Sequence, residues 1–162
     1  MKTLILVRHA KSSWEFDVTD HERPLKKRGI NDAKLVSETL KHENFKFDKI
    51  LSSDATRTKE TSKIFLKHLN INGSNIEYLY KLYDFAGADL TDVIKNTSKK
   101  VNNLLVFGHN HAITAFVNTF GSAYVDNVPT SGVVIINFDV DDWNLINEGE
   151  TIKTIFPKHL KD

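Results

Sequence analysis

Short runs with no polar residue stand out in this chain, first among them Leu4-Ile5-Leu6-Val7 and Leu104-Leu105-Val106-Phe107. A strand that is apolar at every position must be covered on both faces, the condition of a parallel sheet sandwiched between helices. Neither run approaches the roughly 20 residues of a membrane helix, and the first is too short for the core of a signal peptide. Between and after them the pattern alternates. Over residues 26–41, Ile30, Ala33, Val36 and Leu40 recur at helical spacing. Lys49-Ile50-Leu51 predicts a second strand, and Asp54 stands where a cap would open a helix burying Ala55, Thr58, Ser62 and Phe65. Gly87-Ala88-Asp89 introduces a helix carrying Leu90, Val93 and Ile94, while Ile113, Phe116, Val117 and Phe120 form a further stripe. Residues 133–138 and 151–156 read as two late strands joined through a turn at Asp141-Asp142. The expectation is one α/β domain over residues 1–162, with three α/β/α layers and a mostly parallel sheet that has an antiparallel edge strand.

Composition narrows the function. The 22 Lys and Arg against 21 Asp and Glu leave a formal charge of +1. That balance creates no overall field for nucleic acid or anionic lipid, so any anion site must be local and neither nucleic acid nor membrane is an expected partner. The absence of cysteine excludes disulfide scaffolds, thiolate zinc and thiol catalysis. The basic run Lys26-Lys27-Arg28 is too short to argue for nucleic acid and reads as a solvated helix start. A cytoplasmic location is expected. With no exposed apolar heptad in the sequence, monomer is the default state.

Ligands of open α/β sheets bind beyond the carboxyl ends of the strands, and three strand ends here carry unusual polar clusters. The first runs into Arg8-His9-Ala10-Lys11-Ser12-Ser13. The second runs into Ser52-Ser53-Asp54, with Arg57 about a turn into the following helix. The third runs into Gly108-His109-Asn110. In a parallel sheet these bring two histidines and two arginines to one crevice, with helix N-termini adding free backbone N–H groups. Such parts suit phosphoryl transfer through histidine. A neutral imidazole is a nucleophile without a separate base, and nearby guanidiniums favour the neutral ring while spreading the charge of the transition state.

In order and spacing, Leu6-Val7-Arg8-His9-Ala10, Ser52-Ser53-x-x-x-Arg57-Thr58-x-x-Thr61 and Gly108-His109-Asn110 resemble the three motifs of the histidine phosphatase superfamily (phosphoglycerate-mutase-like). Arg23-Pro24-Leu25 and Leu82-Tyr83-Asp84 extend the likeness toward the small SixA-type phosphohistidine phosphatase branch. The resemblance implies that His9 is the phosphorylated nucleophile and that Arg8, Arg57 and His109 hold the phosphoryl group. It places Asp84 where most members carry a proton-donating carboxylate, usually Glu. A phosphohistidine needs little such help, because its imidazole leaves neutral when the other nitrogen is protonated. Ala10, where glycine is usual, and His111, where proline is usual, depart from the family pattern.

The implied activity is a phosphatase with a phosphohistidine intermediate, acting on a phosphorylated protein or on a small phosphorylated metabolite. A phosphoglycerate-mutase-like transferase and a non-catalytic phosphate-recognition module are the alternatives. Around the core four, Lys11, Ser13, Arg23 and Asn110 are candidate phosphate or substrate ligands, each with a plainer reading as a solvated or loop-anchoring residue. Asp84 has such a reading too, as a turn residue before Gly87. His111 either touches the leaving group or faces solvent. His9, His109 and His111 together carry metal-ligand chemistry, but two arginines beside them would repel a divalent cation, so neither metal nor cofactor is expected.

Overall fold

The computed structural model describes residues 1–161. The apolar run 4–7 lies within β1 (Lys2–Arg8), and the run 104–107 lies within β4 (Asn103–Gly108). These two strands pair in parallel near the centre of a six-stranded sheet. The remaining strands are β2 (Lys49–Ser53), β3 (Ile76–Leu79), β5 (Val133–Phe138) and β6 (Glu150–Ile155). In spatial order they run β3-β2-β4-β1-β5-β6, with β1 to β4 parallel, β5 antiparallel to β1, and β6 antiparallel to β5 at the edge. β3 is not anticipated by the sequence reading; its four residues alternate only weakly and include Glu77, so they lack the apolar signature of a buried strand.

Strand alternation feeds two separate cores. Ile5, Val7, Leu105 and Phe107 point to one face, where they meet Ala33, Val36 and Leu40 of α1 (Lys27–Lys41) and Phe65 and Leu66 of α2 (Thr56–His68). Leu4, Leu6, Leu104 and Val106 point to the other, against Leu90 and Ile94 of α3 (Ala88–Lys95) and Phe116 and Val117 of α4 (Ala112–Phe120). This is the three-layer arrangement, and covering both faces is why β1 and β4 tolerate no polar residue at their centres. No described helix is long and apolar enough to cross a membrane.

One cap differs from expectation. Helix α2 begins at Thr56 after Ala55, with no side-chain cap, and Asp54 instead accepts a hydrogen bond from His21 Nε2 at 2.7 Å. His21 belongs to a single 3-10 turn, Asp20–Glu22, within the long segment between β1 and α1. That segment is tied down by a Ser12–Leu25 bridge and by the Lys26 N–H donating to the Lys11 carbonyl. Gly29 lets α1 approach it: a Cβ there would lie 2.2 Å from the Lys11 carbonyl oxygen.

Candidate active site

Strand register assembles the centre of the site. Arg8 of β1 is paired with Gly108 of β4, so the next residues, His9 and His109, leave the sheet side by side. The His9 N–H donates to the Gly108 carbonyl at 3.0 Å, and the two imidazole centroids lie 5.2 Å apart. On the other side of β4, Ser52 is paired with Phe107, which sets Ser53 against His109. Arg57 then reaches back from the first turn of α2 and is only 2% exposed. The three strand ends singled out in the sequence therefore converge.

Hydrogen bonds define which nitrogen is reactive. His9 Nδ1 lies 2.7 Å from the Ala10 carbonyl oxygen, which only accepts, so Nδ1 carries the proton and Nε2 presents its lone pair. Arg57 Nε–H points at that lone pair from 3.4 Å. Burial is the largest influence on the ring; the Ala10 carbonyl opposes it, Arg57, Arg8 and Arg23 reinforce it, and the His9 pKa is pulled down to about 3. His109 is likewise pulled down to about 2, first by burial and then by His9 and Arg57. Both rings are neutral at physiological pH.

His109 Nε2 sits 2.8 Å from Ser53 Oγ and 3.3 Å from Thr58 Oγ1. Ser53 Oγ already accepts from the Ala55 N–H, so its proton is free for His109 Nε2. That assignment leaves the His109 proton on Nδ1, which has no partner. Arg8 donates through Nη1 to the Val128 carbonyl at 2.8 Å, while its buried Nε–H has no partner either. An unpaired buried donor ordinarily costs about 1–3 kcal/mol. Two such donors beside a neutral nucleophilic nitrogen make a socket for an oxyanion.

The outer candidates fall elsewhere. Asp84 accepts from the backbone N–H groups of Ala86, Gly87 and Leu90 at 3.0–3.1 Å, which fixes the turn into α3; Gly87, at φ +114°, is the residue that turn requires. Asn110 accepts at Oδ1 from Thr114 N–H and O–H, and its amide nitrogen donates to Asn127 Oδ1, so it joins α4 to the 127–128 loop. Ser13 Oγ accepts from the Glu15 N–H. Lys11 is exposed, as is His111 at the start of α4. Ala10 is fully buried, and its N–H donates to Thr61 Oγ1. Arg23 takes its anchoring reading: Nε donates to Asp20 Oδ1 at 3.1 Å and Nη1 to Ser12 Oγ at 2.6 Å, with Trp14 stacked 3.5 Å from the guanidinium carbon.

Three residues enter the site to which the motif reading gave no role. Asp20 binds Arg57 twice, through its carbonyl at 2.6 Å and through Oδ2 at 3.0 Å, and it also accepts from the Tyr83 hydroxyl. Tyr83 lies edge-on to His109 with centroids 5.3 Å apart, and Phe85 adds a tilted contact at 5.0 Å. The available signals were the Asp20-x-x-Arg23 spacing and the position of Tyr83 beside Asp84.

Comparison with known proteins identifies the family and the fold. A model of the histidine phosphatase superfamily (branch 1) matches residues 4–91. An uncharacterized protein of Mycobacterium tuberculosis is 31% identical over 140 residues, 80% of this chain and 85% of that protein. An uncharacterized chloroplastic protein of Arabidopsis thaliana is 36% identical over 118 residues, 67% of this chain and 54% of its own length; the chain thus spans about half of that relative. Among solved structures, the protein histidine phosphatase SixA complexed with tungstate superposes with a TM-score of 0.79 at 21% identity, covering 98% of this chain and 99% of that one. The phosphoglycerate mutase of Bacillus anthracis gives 0.64 at 16% identity, covering 98% and 95%. At those identities the structural likeness speaks to the fold alone, whereas the family model covers more than half of the sequence and contains Arg8, His9 and Arg57. The chain belongs to the histidine phosphatase superfamily.

Proposed function

We propose that this chain is a phosphatase that works through a covalent phosphohistidine on His9. The carrying observation is the pair of buried, unpartnered donors, Arg8 Nε and His109 Nδ1, beside a neutral His9 whose Nε2 lone pair faces Arg57. His9 Nε2 forms the bond to phosphorus as the bond to the leaving group breaks in line. Arg57 Nε, Arg8 Nε and His109 Nδ1 donate to the non-bridging oxygens as charge builds there. Water then attacks phosphorus from the vacated side, the P–N bond breaks, and His9 returns to its neutral form with release of phosphate.

A phosphohistidine borne on a partner protein fits this site best. The Asp84 oxygens are engaged by three backbone N–H groups. Burial favours a neutral Asp20, but hydrogen bonds from Tyr83, Arg57 and Arg23 outweigh it and hold the pKa down at about 2. Asp84 is thus occupied with the backbone and Asp20 stays ionised, and an imidazole leaving group needs a proton from neither. Exposed aromatic side chains also border the site, Trp14 over Arg23 on one segment, and Tyr80 against His21 and Phe85 against His109 on the other, a surface suited to protein rather than to a small polar metabolite.

The test is to trap phosphate on the protein with a phosphohistidine-bearing donor and, in parallel, with an aryl phosphate. Wild type is expected to carry an acid-labile, base-stable phosphate that His9→Ala lacks. Equal labelling of both proteins would refute the mechanism. Faster turnover of sugar phosphates than of the phosphoprotein would refute the substrate class.

A further inference from the structure

Resting on that catalytic reading, we infer that Asp20 is a positioning residue for phosphoryl transfer: it holds the Arg57 guanidinium so that its Nε–H is aimed at the phosphorus-bearing nitrogen of His9. The geometry is specific. Asp20 grips both terminal nitrogens of Arg57, Nη1 through the main-chain carbonyl and Nη2 through Oδ2. A guanidinium is planar, so fixing both Nη atoms fixes the direction of Nε–H as well. That direction is toward His9 Nε2, 3.4 Å away. Each terminal nitrogen has two hydrogens, so this grip still leaves one Nη2 hydrogen beside Nε for a second phosphoryl oxygen.

Asp20 is itself held from two further sides. Arg23 donates to Oδ1, and the Tyr83 hydroxyl donates to Oδ2. Arg23 is in turn buried under Trp14 and bonded to Ser12. One carboxylate therefore joins the segment after β1, the first turn of α2 and the residue that packs edge-on to His109. It also sets the local charge. Arg8, Arg23 and Arg57 contribute +3 and Asp20 −1, and the remaining +2 matches a phosphoryl dianion. The Asp20 side chain is 45% exposed, so its loss removes an alignment rather than a piece of the core.

The experiment uses Asp20→Asn, which keeps the shape and removes the charge, with aryl phosphate as substrate and inorganic phosphate as competitive inhibitor. A misaimed catalytic group costs about a hundredfold in rate. The expected result is a fall of that order in kcat, with KM within a few-fold of wild type and a thermal midpoint lowered by only a few degrees, since the half-exposed carboxylate contributes modestly to folding. Arg57→Gln supplies the discriminating background: if Asp20 acts through Arg57, adding Asp20→Asn to Arg57→Gln slows the enzyme no further. Asp20→Asn with wild-type kcat overturns the assignment. So does independent, multiplying loss in the double variant, as expected of a merely structural role. A wild-type protein that neither turns over nor labels at His9 refutes the catalytic reading itself, an outcome distinct from an active wild type whose Asp20→Asn variant is equally active.

Discussion

Acid should destabilise this protein through two particular imidazoles. His9 and His109 are 7% and 1% exposed, and burial pulls their pKa values down to about 3 and about 2. In the unfolded chain each returns to about 6.5. Because the folded values are depressed, the unfolded state binds more protons below pH 6.5. The stability both rings confer is therefore fully present above that pH and is lost as pH falls from 6.5 toward 3. At pH 7.5 the penalty is close to nil. At pH 5.5 each unfolded imidazole is mostly protonated while its folded counterpart is neutral, a cost of about 1.4 kcal/mol per ring and about 3 kcal/mol for the pair. The figure is insensitive to how far the folded values lie below 4.5, and mutual repulsion between the rings does not enter because neither is charged in the folded state at pH 5.5. Against a typical domain stability of about 5–15 kcal/mol, the loss is large. The assay is urea unfolding at pH 7.5 and 5.5 in phosphate-free buffer, on wild type and on His9→Asn/His109→Asn. Comparing the two proteins subtracts the contribution of the other five histidines. The double variant should lose about 3 kcal/mol of the pH dependence, and each single variant about half. A double variant with the full wild-type dependence would mean that the rings ionise within the fold, and the neutral-nucleophile argument would go with it.

Two further substitutions separate anchoring from chemistry. Asp84→Ala removes the acceptor for three backbone N–H groups at the start of α3 and should cost about 1–2 kcal/mol in urea unfolding; it should slow aryl and alkyl phosphate turnover alike, whereas a selective loss of about 100-fold or more on the alkyl ester would make Asp84 the proton donor after all. Gly29→Ala puts a methyl group 2.2 Å from the Lys11 carbonyl oxygen and 2.8 Å from its nitrogen. Backbone has to move, so a loss of about 2–3 kcal/mol is expected, accompanied by reduced turnover because Lys11 lies two residues beyond His9; unaltered melting and activity would show that α1 and this segment are less tightly apposed.

The layered architecture was legible in the sequence because burial on both faces leaves a local mark: β1 and β4 are apolar at every central position, and α1, α2 and α4 repeat at helical spacing. That Arg8, His9, His109 and, from the first turn of α2, Arg57 would come together was legible for a related reason, since strand ends in such a sheet necessarily share one edge. Carboxylates behaved differently. Asp54, expected as a helix cap, pairs with His21; Asp84, aligned with a proton donor, binds backbone; and Asp20, unremarked in the sequence, grips Arg57 37 residues away and Tyr83 63 residues away. A carboxylate takes its role from whichever donor lies within about 3 Å, and nothing in the neighbouring residues records that. Apolar periodicity thus determined the layers and the edge at which chemistry gathers. Only folding, by setting the register of Arg8 against Gly108 and laying the 20–23 turn over α2, decided which nitrogen is free, which donors are unpaired and which acid aims the arginine.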